Sequence, residues 1–266
     1  IPPPSLVVAV LAALHGTILC QPLRATTYYV DAAQGSNNNN GTSPATAWQS
    51  LTKVNATTFL AGDRILFKAG QTFIGQLYPK GSGATGNPII LDAYDPGPKP
   101  TIAGEGGVTN TVYLKNQKYW EIRNLEITNY EASGSSQKRG VYFEVTNAGS
   151  SPMEHIHLVN LDIHDVNGDP TIKENGGIYF YAGGTSTATK FNDILIEGCH
   201  IYDVVRTGLV KDSKWADRNG CAPADNVNWV PSTNVVIRNN VIERAAYNGM
   251  ILRVTEGALV QGNVFV

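Results

Sequence analysis

Cations and carboxylates recur at comparable places along this sequence. Arg139, Lys173 and Arg206 each stand shortly before a glycine-led run, Glu174 adjoins Lys173, and Lys211-Asp212 closes one such run. The set suits β-elimination on an acidic sugar. Cations neutralise a uronate carboxylate, the proton α to it becomes more acidic, and a base near neutrality removes that proton. A desolvated Lys can lose its proton near neutral pH whereas Arg keeps its charge, so Lys173 or Lys211 is the better base on intrinsic grounds. Glycoside hydrolysis is the second chemistry on offer. It needs two carboxyl groups about 5–5.5 Å apart for retention or about 6.5–9.5 Å apart for inversion. Glu174 with Asp212, or Glu144 with Asp212, supplies a pair if the segments are stacked on adjacent turns. Any one of these charges taken alone reads more simply as a solvated rim group. Convergence on one face is what would make Lys173, Glu174, Arg206, Lys211 and Asp212 catalytic candidates.

The glycine-led runs are Gly140-Val141-Tyr142-Phe143-Glu144, Gly177-Ile178-Tyr179-Phe180-Tyr181, Gly208-Leu209-Val210-Lys211-Asp212 and Gly249-Met250-Ile251-Leu252-Arg253, with Val112-Tyr113-Leu114-Lys115 one step earlier. Alternate residues of a strand face the same side. One outward column is then Tyr113, Tyr142, Tyr179, Val210 and Ile251, and the next is Lys115, Glu144, Tyr181, Asp212 and Arg253. Aromatic rings flanked by charges suit a sugar chain. A tyrosine ladder that stabilises neighbouring strands accounts for them equally well. On the first reading Tyr113, Tyr142, Tyr179, Tyr181, Arg139, Glu144 and Arg253 contact substrate. Trp215 and Trp229 join them from the insertion at 213–233, which also holds Asp217, Arg218 and Asp225; these tryptophans serve either as sugar platforms or as lids packed over a core.

These side chains are positioned by a repeat. Four segments align without gaps: Trp120–Ile127, Ile156–Ile163, Ile194–Ile201 and Val235–Ile242, and a fifth starts at Leu259. Each is two short alternating strands broken by an Asn or Gly corner. The core positions Ile122, Leu158, Ile196, Ile237 and Val260 are spaced by 36, 38, 41 and 23 residues, the shortest near one turn of a β-solenoid and the others the same turn with inserted loops. With the glycine-led run as a third strand, the stack is an all-β, right-handed parallel β-helix with three strands per turn. Leu161, Cys199, Asn240 and Asn263 fall in one column, which predicts a buried thiol at Cys199 and an amide ladder from Asn240 to Asn263. A disulfide from Cys199 to Cys221 has no support in the pattern. Residues 47–55 read as a short helix, with Trp48, Leu51 and Val54 on one face, capping the solenoid.

Composition agrees with this class. Among 266 residues, 42% are hydrophobic and only 16% charged, and the 27 glycines favour a turn-rich β protein with a full core. A net charge of -2 lacks the basic excess of a nucleic-acid binder, and three cysteines cannot make a disulfide scaffold. Residues 1–25 read as an N-terminally incomplete export signal, because the apolar run from Leu6 to Leu14 is too short to span a membrane. A lipid anchor at Cys20 is disfavoured by the lack of a small residue before it. The β-helix domain is expected over 26–266, and the unfinished strand Val264-Phe265-Val266 suggests that C-terminal turns are missing. The expectation is a secreted, extracellular or periplasmic monomer without stable membrane insertion, whose partner is a polysaccharide and not nucleic acid.

The stretch Tyr28-Tyr29-Val30-Asp31 through Gly41-Thr42-Ser43-Pro44-Ala45-Thr46-Ala47-Trp48, followed by Gly62-Asp63-Arg64-Ile65-Leu66-Phe67-Lys68-Ala69-Gly70, resembles the opening of secreted right-handed parallel β-helix proteins of the pectate-lyase-like superfamily. The resemblance covers nearly everything after the signal. It implies the fold firmly and the chemistry loosely, because that superfamily hosts lyases, hydrolases, esterases and adhesins. Polygalacturonases carry Asn-Thr-Asp, Asp-Asp and Gly-His-Gly motifs near the pre-strand position, and these are absent here. Some β-helix lyases use Arg as base, which keeps Arg206 in play. The resemblance thus implies a carbohydrate-active enzyme, first a polysaccharide lyase, next a glycoside hydrolase, and third a non-catalytic carbohydrate-binding β-helix.

A further polar set comprises Asp162, His164 and Asp165, then His200 and Asp203, then Glu243 and Arg244. Its carboxylates suit Ca²⁺ and its histidines suit zinc, but no spacing matches a compact metal motif. No metal ligand is assigned, Ca²⁺ stays an open cofactor, and His155 and His157 read as surface residues.

Overall fold

The structure, a computed structural model, describes residues 25–217 and 228–266. The expected export signal, save Ala25, lies outside the described residues, as do Cys20, Arg218, Cys221 and Asp225.

Three parallel sheets dominate the described residues, and each takes its strands strictly in sequence order. The eight-stranded sheet runs from Thr27–Val30 through Trp120–Arg123, Met153–Val159 and Phe191–Glu197 to Leu259–Gln261. The seven-stranded sheet includes Glu126–Asn129, Asp162–Val166, His200–Val204 and Val241–Ala245. The five-stranded sheet, called here the groove sheet, consists of Asn110–Lys115, Arg139–Thr146, Gly176–Gly183, Thr207–Ser213 and Asn248–Leu252. One strand from each sheet makes a turn, so successive turns stack as a parallel β-helix, as the repeat predicts.

Local chemistry explains the shape. The corner between the first two strands of each turn is a left-handed residue: Asn124 (φ 53°), Asn160 (53°), Gly198 (63°), Asn239 (57°) and Gly262 (63°). Gly and, less readily, Asn and Asp adopt that conformation at small cost. Asn160 Nδ2 donates to Asn124 Oδ1 at 2.7 Å, which ties one corner to the next. At the second residue of the groove strand Gly176–Gly183 there is no room for a side chain: a Cβ on Gly177 would come within 2.7 Å of the Gly208 carbonyl oxygen and 2.6 Å of Ile201 Cγ2.

Inward residues form continuous columns, among them Ile122, Leu158, Ile196 and Ile237, all at most 1% exposed. Phe143 and Phe180 stack at 4.8 Å within the groove-sheet column. Cys199 is a buried free thiol pushed up to about 12 by burial, and its backbone N–H donates to Asn240 Oδ1 at 2.8 Å. Asn240 Nδ2 in turn donates to Asn263 Oδ1 at 2.8 Å, completing the amide ladder. The helix forms at Leu51–Ala56, slightly later than predicted. It buries Leu51 and Val54, and Tyr28, Trp48 and Phe59 pack beside it, the first two stacked at 4.7 Å.

Candidate functional site

Two adjoining cavities open on the outer face of the groove sheet. The larger, about 350 Å³, is bordered by Arg139, Tyr142, Glu174, Tyr179, Tyr181, Asp212, Ser213, Lys214 and Arg253. The smaller, about 180 Å³, is bordered by Lys173, Glu174, Tyr179, Arg206, Thr207, Val210, Asp212, Asn248, Ile251 and Arg253. Glu174, Tyr179, Asp212 and Arg253 belong to both, so the two carboxylates front one continuous depression.

Each carboxylate is placed by its neighbours. Asp212 ends an outward column in register with Tyr181 and, one strand further, Glu144. Its Oδ1 accepts the Ser213 backbone N–H at 2.8 Å and its Oδ2 lies 3.2 Å from Arg253 Nη1. Glu174 sits on the segment before its strand, and two buried side chains fix that segment. Arg139 Nε donates to the Glu174 backbone carbonyl at 2.6 Å, and Asn175 accepts the Lys138 N–H at 2.7 Å while donating to the Asp169 carbonyl at 2.6 Å. Arg139 also donates to Asn110 Oδ1 at 3.0 Å, and its guanidinium lies over the rings of Tyr142 (4.3 Å) and Tyr179 (5.1 Å). Burial lowers its pKa, and the surrounding π faces and hydrogen-bond acceptors compensate the charge. Burial and the nearby Asp212 push the Tyr179 hydroxyl up to about 12, and burial likewise raises Tyr142 and Tyr181. These phenols stay protonated and able to donate.

The structure corrects several sequence expectations. Lys211 is not on the outer face. It is the register partner of Phe180, is 1% exposed, and donates from Nζ to the carbonyls of Val254 (2.7 Å) and Arg253 (3.2 Å). Strand alternation places it inward, so it cannot be the base for a ligand in the groove. Trp215 is a core side chain, 8% exposed, whose Nε1 donates to the Gly183 carbonyl at 3.2 Å; it packs as a lid. Trp229 pairs with Ala216 in a short antiparallel ladder and borders neither cavity. Tyr113 and Glu144 also lie outside both cavities. They bond each other, with the Tyr113 hydroxyl donating to Glu144 at 2.5 Å, and Lys115 lies 3.5 Å from the same carboxylate. Glu144 and Asp212 are two strands apart, with Tyr181 between them, and not on adjacent turns. Tyr78, Tyr113 and Tyr142 stack at 4.8 and 5.4 Å, so at this end the rings are a ladder, while Tyr142, Tyr179 and Tyr181 face the larger cavity. Arg206 borders the smaller cavity, but its guanidinium donates to the Pro170 carbonyl at 2.8 Å and lies 3.8 Å over the Tyr247 ring. Lys173 borders the smaller cavity alone.

With that geometry in view, comparison with known proteins fixes the fold. A lacto-N-biosidase of Bifidobacterium longum is 30% identical over 90% of this chain. The chain spans 19% of that relative's length. A crystal structure of a GH136 lacto-N-biosidase from Eubacterium ramulus superposes with a TM-score of 0.72 at 23% identity, over 85% of this chain and 43% of that one. Pectate lyase Pel9A superposes with a TM-score of 0.50 at 21% identity, over 84% of this chain and 54% of that one. No family model matches the chain. The chain is a right-handed parallel β-helix.

The polar set on the seven-stranded sheet forms ion pairs and stacks. Asp203 receives Arg244 through two oxygens at 2.6 and 3.0 Å, His164 lies between Glu126 and Asp165, His200 meets Glu243 at 3.2 Å, and the Tyr202 ring stacks on His164 and meets His200 at a tilt. Asp165 and Asp203 are left-handed corner residues (φ 50° and 51°), the turn role their sequence context suggests. Among the described residues, the compact group of potential metal ligands lies elsewhere, at Glu121, His155 and His157 on the eight-stranded sheet. The signal that could have found it is the 36-residue interval that sets Glu121 beside His157.

Proposed function

We propose that the groove sheet carries a glycoside-hydrolase site, with Glu174 and Asp212 as its carboxylate pair and a glycan as its substrate. The observation that carries this reading is that both carboxylates front the same two adjoining cavities, whereas the cations a lyase would use are largely engaged elsewhere. Lys211 is in the core, and Arg139 and Arg206 are held by carbonyls and aromatic faces. Asp212, held in place by Arg253 and by the Ser213 N–H, has the role of nucleophile or of base for water. Glu174 then has the role of proton donor to the departing sugar oxygen. Tyr142, Tyr179 and Tyr181 would orient the sugar by ring contact and by donated hydrogen bonds. Likeness to lacto-N-biosidase supports hydrolysis. An extracellular glycan accords with the export signal expected over residues 1–25.

Lyase action is the second reading, favoured by Lys173 beside Glu174 at the smaller cavity. The experiment is a panel of a lacto-N-bioside, pectin, alginate and xylan, scored both for reducing ends and for ultraviolet absorbance of a new sugar double bond. Reducing ends without that absorbance, lost in Glu174→Gln and Asp212→Asn, are expected. Absorbance lost in Lys173→Met would establish a lyase instead, and retention of glycan without either signal would make the surface a binding module.

A further inference from the structure

A second constellation lies on the eight-stranded sheet, away from the groove. His157 is the register partner of Glu121. His155 precedes it by two residues and is left-handed (φ 56°), so the inward-outward alternation breaks and Glu154 and His155 both turn outward before Ile156 returns to the core. Asp193, also left-handed (φ 64°), occupies the corresponding place on the next turn. The result brings four side chains from three consecutive turns together. His155 Nε2 lies 3.0 Å from Glu121 Oε1, His155 Nδ1 lies 2.8 Å from Asp193 Oδ2, and His157 Nε2 lies 3.0 Å from Asp193 Oδ1. The imidazole centroids are 3.8 Å apart. Ligand atoms of Glu121, His155 and His157 all fall within 4.8 Å of one another.

We infer that Glu121, His155 and His157 form a zinc site that clamps two turns of the solenoid, with water as fourth ligand and Asp193, on the far edge of the His155 ring, as an outer partner. Bonds of about 2.0–2.1 Å at tetrahedral angles put ligand atoms about 3.3 Å apart, so three ligand atoms that already lie within 4.8 Å of one another need only modest adjustment to surround one ion. Two imidazoles and one carboxylate match Zn²⁺ in donor type, whereas Ca²⁺ and Mg²⁺ take oxygen donors. The surrounding residues orient the ligands as outer partners do in metal sites. Arg123 holds Glu121 Oε2 and leaves Oε1 turned to the histidines, and the Tyr119 ring stacks on His155 at 5.9 Å. Glu121 has a side chain only 9% exposed, and the two imidazoles are 23% and 18% exposed, so an ion would be shielded yet reachable. None of these residues borders the groove cavities, so the role is structural and independent of the proposed catalysis.

The test uses the full chain, stripped with a chelator and titrated calorimetrically with Zn²⁺ and separately with Ca²⁺. Expected are one Zn²⁺ per chain, no comparable Ca²⁺ binding, and a rise in Tm of about 5 °C at a hundredfold excess over Kd. Co²⁺ in the same protein should give the strong visible absorbance of a tetrahedral site. His157→Gln should abolish these effects and His164→Gln should leave them intact. Zinc binding that survives His157→Gln, or no saturable binding at all, would overturn the assignment and leave an ion-pair cluster. If His157→Gln does not fold, imidazole NMR of the unmodified chain decides: Zn²⁺ must shift two of the five histidines and no others, and any other pattern defeats the proposal.

Discussion

Phe180 and Lys211 are register partners in neighbouring strands of the groove sheet, so an ammonium group enters the column that an aromatic ring fills one turn earlier. The lysine is 1% exposed, and burial lowers its pKa to about 8. Its two carbonyl acceptors, Arg253 and Val254, belong to the corner that presents Arg253 to Asp212. A residue that sequence places among the catalytic cations therefore acts from inside, by holding the backbone of a groove residue.

That burial has a pH signature. With a folded pKa of about 8 against an unfolded value near 10.5, the unfolded chain binds the extra proton between those limits, so stability rises with pH across that window. The shift corresponds to about 3 kcal/mol. Cys199 and the groove tyrosines, whose pKa values are raised, act in the opposite direction at higher pH. Comparison with Lys211→Met cancels them. Denaturant unfolding of both proteins from pH 7 to 10.5 should show the unmodified chain gaining on the variant by roughly that amount; a constant difference would mean that the lysine is already solvated.

Trp215 provides a test of core against surface. As a lid with its indole N–H satisfied inside, its replacement by Ala should cost about 3–5 kcal/mol and lower Tm markedly. A sugar platform would lose glycan retention with Tm unchanged.

The glycine column sets the distance between turns. Gly177→Ala places a methyl 2.7 Å from the backbone oxygen of Gly208, and backbone within a hydrogen-bonded ladder has little freedom to retreat. A loss of at least about 1–3 kcal/mol is expected, measured by urea unfolding. At Gly149, where an added Cβ meets nothing within 4 Å, the positive φ of 78° is the sole penalty and the loss should be smaller.

The repeat was legible because each turn must solve the same problems in the same order. The Asn or Gly at 124, 160, 198, 239 and 262 marks a left-handed corner, and the glycines at 140, 177 and 208 mark close backbone approach. Both requirements are local and leave residue-type signatures. The site was less legible. Charge suggested an outward Lys211 although alternation put it inward, and two carbonyl acceptors supplied by a later turn resolve that conflict. The tryptophans carry no periodicity, so whether they pack or face solvent depends on the course of the loop that bears them. The meeting of Glu121, His155 and His157 needs a corner at His155 that has neither Gly nor Asn to announce it.

Arg139 makes the sharpest functional prediction. Its guanidinium joins three things at once: the Glu174 backbone, the Asn110 amide and the faces of Tyr142 and Tyr179. Lys keeps the charge but lacks the planar fork, so Arg139→Lys cannot make the first two bonds and stack together. Loss of two hydrogen bonds to a charged donor, partly replaced by the ammonium, should cost about 2 kcal/mol of stability. The more telling readout is kinetic. If Arg139 acts by placing Glu174, the variant loses kcat with KM nearly unchanged, because the proton donor is displaced while the tyrosine wall and Arg253 still bind the sugar. Glu174→Gln should lose about 10²–10⁴ in kcat, and the double variant should fall little further, since both changes remove the same function. If instead Arg139 bound a substrate carboxylate directly, as a uronate lyase would require, Arg139→Lys would raise KM, and its effect would multiply with that of Glu174→Gln.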